Sequence, residues 1–455
     1  MKKVVAFLSA LLLLSAPISV SADELMDITR ASYPNVQEIN RPKSTIVLDA
    51  NTGDIVWQDN VDEVRDPASM SKLMTLYLVF DAIKEGRLSL DTVITATAAD
   101  QAISKIYEIS NNNIVAGVDY TVSELITMTA VPSSNVTTVM LANYLSDYDA
   151  DAFLNQMNAK AKELGMTNTK WFNASGAAAV AFKGYYTPYE YDNYSTNQTT
   201  ARDMGILGYY FVKNHPEILN FTKDSVVTVK AGTPYEETFE TYNYSLPDSL
   251  YGIEGVDGLK TGSSPQGAFN YIATVKRGEQ RFVCVVMGVG DWSDQDGEYY
   301  RHPFGNALME KAFKDYEYKK VLSAGKQDID GKTYQVSNDF YATVKKGTSP
   351  TLLVENNILK VDNGLETASS TISDGVKVEL AESGLGSVAK QIFPSSNRTK
   401  SWTQFLWDYK FFIVLPLLVL IFILVIETLN NRKKKEKAVP QTTGTYSRRE
   451  KNKNK

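Results

Sequence analysis

Residues 44 to 58, STIVLDANTGDIVWQ, place two β-rich runs on either side of a polar NTGD, the pattern of a hairpin. From Asp66 the pattern changes. DPASMSKLMTLYLVFDAIKEG is apolar on nearly every helical face, which predicts a long helix buried all round. Further helices are predicted over 121–131, where Thr121 and Glu124 form a capping box, over 135–145, and over 149–164, closed by Gly165. Residues 174–200 are rich in Gly, Tyr and Asn and predict a long loop, after which TTARDMGILGYYFVKNHPEIL is helical again. Strands return between 225 and 290 as SVVTVK, GVDGLKTG, NYIATVKR and RFVCVVMGVG, the last two joined across GEQ, and FGNALMEKAFKDY adds a helix. Strands at both ends with helices between predict an antiparallel sheet closed by the two chain ends, with helices packed on it. From about Lys320 to Lys390, alternating segments separated by Gly, Asn and Asp turns predict a small all-β module.

The two chain ends follow different rules. Lys2 and Lys3, the apolar run Val4 to Leu14, and the small-residue VSA at Val20 to Ala22 have the three parts of a signal peptide, so the mature chain is expected to start near Asp23, outside the cytoplasm. Near the other end, Phe411 to Ile426 is apolar on every face. Trp402, Trp407 and Tyr409 precede it as an aromatic belt, and Arg432 to Lys435 follow as a positive-inside flank. This predicts a single span over 409–429, a bilayer contact, and a basic cytoplasmic tail over 430–455. The net charge of −6 conceals this division: the tail from Arg432 holds ten Lys/Arg against two Glu, and the signal peptide adds two Lys, leaving −16 on residues 23–431. An acidic exported body excludes nucleic acid or anionic lipid as its main partner. The single cysteine, Cys284, lies in a predicted buried strand and permits no internal disulfide.

Two histidines, His215 and His302, each followed by Pro, supply no zinc-site pattern and read as surface or packing residues. An acyl-transfer base in this chain is therefore expected to be something else. In SMSK, Ser69 and Lys72 are spaced i and i+3 and share a helix face. Apolar neighbours and the positive end of the helix dipole both disfavour the ammonium, so a neutral Lys72 could accept the Ser69 proton. The spacing alone is weak, since SAGK at Ser323 to Lys326 repeats it in a predicted loop. A serine–lysine acyl transferase also needs a second hydroxyl to relay the proton, and a cation with hydroxyls to hold a substrate carboxylate. SSN at Ser133 to Asn135 follows Pro132 in a tight link between two helices; the plainer reading is an N-cap. S-x-N recurs at Ser110, Ser195 and Ser395, in polar stretches that read as loops. KTG occurs once, in DGLKTGSS on a predicted strand, where Lys260 offers a fixed charge, Thr261 and Ser263 offer hydroxyls, and Gly262 permits close approach. The three elements fall in order, on helix, loop and strand.

At these residues the chain resembles the serine penicillin-recognising enzymes and, more narrowly, the low-molecular-mass penicillin-binding proteins of the D-alanyl-D-alanine carboxypeptidase type, the peptidase S11 family. DPASMSKLM, AKELGMTNTKWFNASG, TTARDM and GVDGLKTGSS carry the resemblance over roughly residues 30 to 315. RHPFGNALMEKAF and the C-terminal span point to the membrane-anchored subgroup resembling staphylococcal penicillin-binding protein four. The resemblance implies an α/β (α+β) transpeptidase-like fold, with a five-stranded antiparallel sheet flanked by helices beside a helical lobe. It implies Ser69 as nucleophile, Lys72 as base and Ser133 as proton relay. Asn135 would hold the substrate amide, and Lys260, Thr261 and Ser263 its terminal carboxylate, with Arg301 and Glu108 as further substrate contacts. No cofactor or metal is implied. The expected organisation is a signal peptide over 1–22, a catalytic domain over 23–318, an all-β domain over 319–395, a linker over 396–408, then the span and tail. The expected substrate is a peptidoglycan stem peptide ending in D-Ala-D-Ala, with β-lactams as covalent mimics. Whether water or a second amine takes the acyl group stays open. The alternatives are a β-lactamase on the same scaffold, which lacks a Glu-x-x-Leu-Asn at Glu163 or Glu190, and a non-catalytic binding protein.

Overall fold

The structure is a computed structural model that describes residues 23–372, 375–381 and 420–428. Its helices are α1 (Glu24–Ser32), α2 (Lys72–Lys84), α3 (Ala98–Ser104), α4 (Val122–Ala130), α5 (Asn135–Leu145), α6 (Ala150–Leu164), α7 (Ala201–Asn214), α8 (Leu219–Thr222) and α9 (Gly297–Asp315). The strands up to the end of the central sheet are β1 (Ser44–Asp49), β2 (Ile55–Asp59), β3 (Val93–Thr95), β4 (Asp119–Thr121), β5 (Val226–Val229), β6 (Glu237–Glu240), β7 (Val256–Ser264), β8 (Ala268–Arg277) and β9 (Gln280–Val289).

The central sheet runs β2-β1-β9-β8-β7, antiparallel throughout. The two chain ends do close it, as the sequence predicts. Its strands alternate between two cores. Ile46, Leu48, Ile272, Val283 and Val285 face α2, α7 and the helical lobe, whereas Val47, Tyr271, Ala273, Cys284 and Val286 face α1 and α9. Gly205 and Gly208 let α7 approach the sheet: a Cβ on Gly208 would sit 2.7 Å from Val283 Cγ1. Helix α2 is buried on nearly all faces, from Lys72 through Ala82. That burial matches its apolar sequence and makes it the post around which α4, α5 and α6 pack.

SVVTVK becomes β5, but it pairs only with β6, in a hairpin apart from the central sheet. Its alternation leaves Val226 and Thr228 exposed, a pattern that cannot fill a sheet buried on both faces. The all-β segment contains β10 (Tyr316–Leu322), β11 (Gly325–Ile329), β12 (Lys332–Val336), β13 (Phe340–Lys345), β14 (Thr351–Glu355), β15 (Ile358–Asp362), β16 (Gly375–Lys377) and β17 (Glu379–Leu380). It belongs to the same compact unit as the body, which extends to Ala381. The β1–β2 turn holds it through backbone bonds Ile55 N to Glu366 O (2.8 Å) and Ala368 N to Gly53 O (3.0 Å).

The expected signal peptide (1–22), linker (396–408), basic tail (430–455) and most of the expected span lie outside the described residues. Within that span, residues 420–428 are helical with exposed apolar side chains. Among the described residues no helix is long and apolar enough to cross a membrane.

Candidate active site

Ser69 lies in a 3-10 turn, Ala68–Ser71, that leads into α2. Asp66 ties this turn to the sheet. Its carboxylate accepts from Ala68 N (2.8 Å) and Ser264 Oγ (2.6 Å), and its carbonyl accepts from Asn270 Nδ2 (3.0 Å). Two glycines fit against the turn. A Cβ on Gly176 would lie 2.0 Å from Ala68 O, and one on Gly262 would lie 2.4 Å from Pro67 O. The loop after α6 and the edge strand β7 thus clamp Ser69 from two directions.

Lys72 is fully buried. Its Nζ lies 3.0 Å from Ser69 Oγ, 2.9 Å from Asn135 Oδ1 and 2.8 Å from the Ser175 carbonyl oxygen. Burial, and then the nearby Lys260, hold its pKa well below that of a free lysine. A neutral amine has two N–H donors and one lone pair. The two carbonyl oxygens take the donors, so the lone pair is left for the Ser69 hydroxyl.

Ser133 and Ser134 divide the two readings of SSN between them. Ser134 is the N-cap of α5, accepting from Thr137 N. Ser133 sits at φ 64°, a left-handed conformation disfavoured outside glycine, and its buried Oγ has no hydrogen-bond partner. An unpaired buried hydroxyl on a strained residue fits a group that waits for a ligand.

On β7, Lys260 is buried and donates to the Thr261 carbonyl (3.1 Å). Burial, and then Arg301, lower its pKa to about 7. Its enclosure and a second cation thus disfavour the ammonium that KTG, read as sequence, offers as a fixed charge. Arg301, on α9, is also buried and donates from Nη1 to Ser263 Oγ (2.8 Å). Burial lowers its pKa to about 10, and Glu298 stands 3.7 Å away.

These elements enclose a cleft of ≈ 200 Å³ lined by Ser69, Ser110, Ser133, Tyr242, Thr261, Gly262, Ser263, Glu298 and Arg301. Glu108 is not part of this lining. It is exposed and pairs with Lys183 at 2.7 Å, and that partner accounts for its charge. Ser110, read from sequence as a polar-loop residue, does line the cleft, and its carbonyl accepts from Asn135 Nδ2 (2.8 Å). Its S-x-N tripeptide was the signal that could have found it. Tyr242, Glu298 and the Ser175 carbonyl had no such signal. Neither histidine lines the cleft: buried His215 bonds Asp81 through Nε2 (2.7 Å), and buried His302 accepts from Tyr244 N (3.2 Å). Both are packing residues. Glu163, exposed on the outer face of α6, pairs with Lys160 (2.9 Å), and Glu190 is outside the lining too.

A family model described as D-alanyl-D-alanine carboxypeptidase matches residues 29–291, and one described as a domain of unknown function (DUF1958) matches residues 318–379. The chain is 28% identical over 293 residues to D-alanyl-D-alanine carboxypeptidase DacF of Bacillus subtilis, covering 63% of this chain and 67% of the relative. It is 26% identical over 340 residues to DacA of Escherichia coli, covering 72% and 77%. Among solved structures, a peptidoglycan synthesis regulatory factor (PBP3) from Streptococcus pneumoniae superposes with TM-score 0.64 at 23% identity, covering 75% of this chain and 98% of that one. Penicillin-binding protein 5 from Haemophilus influenzae gives TM-score 0.59 at 21% identity, covering 76% and 98%. The likeness to those two structures concerns the fold. The family model matches more than half of the sequence and contains the Ser69 turn, Ser133 and the KTG strand, so this chain belongs to the D-alanyl-D-alanine carboxypeptidase family, peptidase S11.

Proposed function

We propose that the chain is a serine-type D-Ala-D-Ala carboxypeptidase acting on peptidoglycan stem peptides. The observation that carries this reading is the contact of Lys72 Nζ with Ser69 Oγ at 3.0 Å, with both amine donors directed at other acceptors. Ser69 Oγ attacks the carbonyl of the penultimate D-alanine while Lys72 takes its proton. Backbone N–H groups of Ser69 and Ser263 hold the developing oxyanion, an arrangement typically worth a factor of about 10² to 10³ in rate. Ser133 delivers a proton to the leaving amine as the C–N bond breaks, with protonated Lys260 behind it. The terminal D-alanine carboxylate is held by Lys260, Thr261, Ser263 and Arg301, and Asn135 holds the substrate amide. Water then hydrolyses the ester on Ser69, or the amine of another stem peptide takes the acyl group and forms a cross-link. β-Lactams enter as substrate mimics that acylate Ser69.

The exported, membrane-anchored placement belongs to this reading. The signal-peptide pattern over 1–22 and the apolar run within 409–429 support a catalytic body outside the cytoplasm on a single C-terminal span, as in the subgroup resembling staphylococcal penicillin-binding protein four. The all-β segment within 319–395 would stand between body and anchor.

The test is mass spectrometry of the purified chain with a synthetic stem pentapeptide, with and without an amine acceptor. Release of D-alanine that Ser69→Ala abolishes is the expected result; a peptide dimer adds transpeptidation. Rapid turnover of penicillin in place of a lasting penicilloyl adduct would support the β-lactamase alternative. D-alanine release unchanged in Ser69→Ala would overturn the assignment.

A further inference from the structure

A second cleft, of ≈ 360 Å³, opens where the β1–β2 turn meets the all-β segment. Asn51, Thr52 and Asp54 line it from the turn; Tyr318, Tyr341 and Asp339 are prominent on the other wall. The rings of Tyr318 and Tyr341 stack with centroids 5.5 Å apart and planes 27° apart, and Tyr341 remains 43% exposed. The walls are fixed to one another. Thr52 Oγ1 meets Thr343 Oγ1 at 3.0 Å, and Asn363 Nδ2 bonds both Asp54 (3.0 Å) and the Thr343 carbonyl (2.9 Å). A preformed polar cleft at the junction of two modules, with a solvent-facing aromatic platform, has the features of a ligand site.

The chemistry narrows the ligand. Carboxylate and amide groups beside an exposed ring suit a sugar, whose hydroxyls donate to carboxylates while its C–H face lies on the ring. Phe340, Val361, Leu365 and Val376 also line the cleft and give a sugar's C–H face apolar surface, and an anion would meet Asp54 and Asp339, the latter already paired with Lys320 (3.1 Å). We infer that this cleft binds the amino-sugar strand of the same polymer whose stem peptides enter the active site. The inference rests on the reading of the chain as a peptidoglycan carboxypeptidase. The strand register places Ile46 opposite Lys260 three strands away, and the cleft-forming turn begins five residues beyond Ile46. That direction runs away from Gly262 and Ser263, so the cleft is on the order of 30 Å from the Ser69 cleft, beyond the roughly 17 Å reach of one extended five-residue stem peptide. A strand held there instead raises the local concentration at Ser69 of the peptides borne on sugars further along it.

The experiment uses the full chain and a soluble N-acetylglucosamine tetramer, with binding read by saturation-transfer NMR. Cleavage of polymeric peptidoglycan is then compared with cleavage of a free pentapeptide. The expected result is tetramer binding that Tyr341→Ala loses and Tyr341→Phe keeps. KM for the polymer should rise roughly three- to tenfold in Tyr341→Ala, the scale of one aromatic contact, with penicillin acylation and pentapeptide cleavage unchanged. No tetramer binding by the wild-type chain overturns the proposal whether or not the alanine variant folds, and so does equal binding by a folded Tyr341→Ala. Because sugar binding is read without catalysis, a wild-type chain that binds the tetramer but leaves the pentapeptide intact counts against the catalytic reading alone.

Discussion

Lys72 Nζ and Ser69 Oγ stand 3.0 Å apart at the start of a helix that buries nearly every side chain it carries. A charged amine at that place would lose its hydration and face the positive end of the helix and a second lysine. The neutral amine avoids this and keeps a lone pair directed at the serine hydroxyl. Lys72→Arg retains a cation but cannot shed its proton. It should slow acylation of Ser69 by labelled penicillin by about 10² to 10⁴, the range of lost general-base catalysis. A variant acylated at the wild-type rate would count against Lys72 as the base.

Acylation should also fall on the alkaline side. Lys72 must be neutral, so the rate rises with pH as that group deprotonates. Lys260 must be protonated, and its pKa lies near 7 in the free enzyme, so kcat/KM should fall by up to tenfold per pH unit above that value. Lys260→Arg keeps the charge at all accessible pH and should remove the limb, whatever it does to the absolute rate. An unchanged alkaline limb in Lys260→Arg would assign that limb to another group.

Ser133 pairs a left-handed backbone with an unpartnered Oγ, so the native fold gains little from its hydroxyl. Ser133→Ala should therefore leave thermal stability nearly unchanged while lowering acylation by about 10² to 10⁴. Calorimetry and a penicillin time course on the same preparation separate the two effects. A large drop in Tm with proportionate activity loss would make the residue structural.

Gly176 is the tightest contact on the nucleophile turn, at φ +96° with Ala68 O 2.0 Å from where a Cβ would be. Gly176→Ala should cost about 2 to 4 kcal/mol through overpacking and left-handed strain. It should also slow Ser69 acylation, because the displaced atoms carry the serine. Gly184→Ala is the control: its φ is also positive, but nothing lies within 4 Å of its Cβ position. Denaturant unfolding should show a clearly smaller loss there.

Asp49, fully buried at the end of β1, has its pKa raised to about 6, chiefly by burial. The folded chain holds this proton more tightly than the unfolded chain does. The associated stability is therefore complete below about pH 4 and is lost as pH rises through about 6. Asp49→Asn mimics the protonated form, so its Tm relative to wild type should rise between pH 4.5 and 7.5. A difference that does not change over this range would show that the carboxyl is not strained by burial.

Much of the site was legible because its chemistry is carried by short local patterns. Ser69 and Lys72 are one helical turn apart, and the capping boxes and Gly165 mark helix ends through interactions spanning a few residues. The errors came where a residue's role depends on partners far along the chain. Glu108 looked available until Lys183, 75 positions later, took its charge. Ser110 looked like any loop serine until the start of α5, beginning 25 positions later, brought it to the cleft.

The sequence alone determined the apolar identity of α2, the alternation of the sheet strands, and the order of SMSK, SSN and KTG, because propensity, periodicity and spacing are properties of neighbouring residues. The tertiary structure decided which hydroxyl stays unpaired, that Lys260 titrates near 7 beside Arg301, and that the all-β segment closes a second cleft against the β1–β2 turn. Burial and the field at a buried charge are sums over groups that only folding brings together.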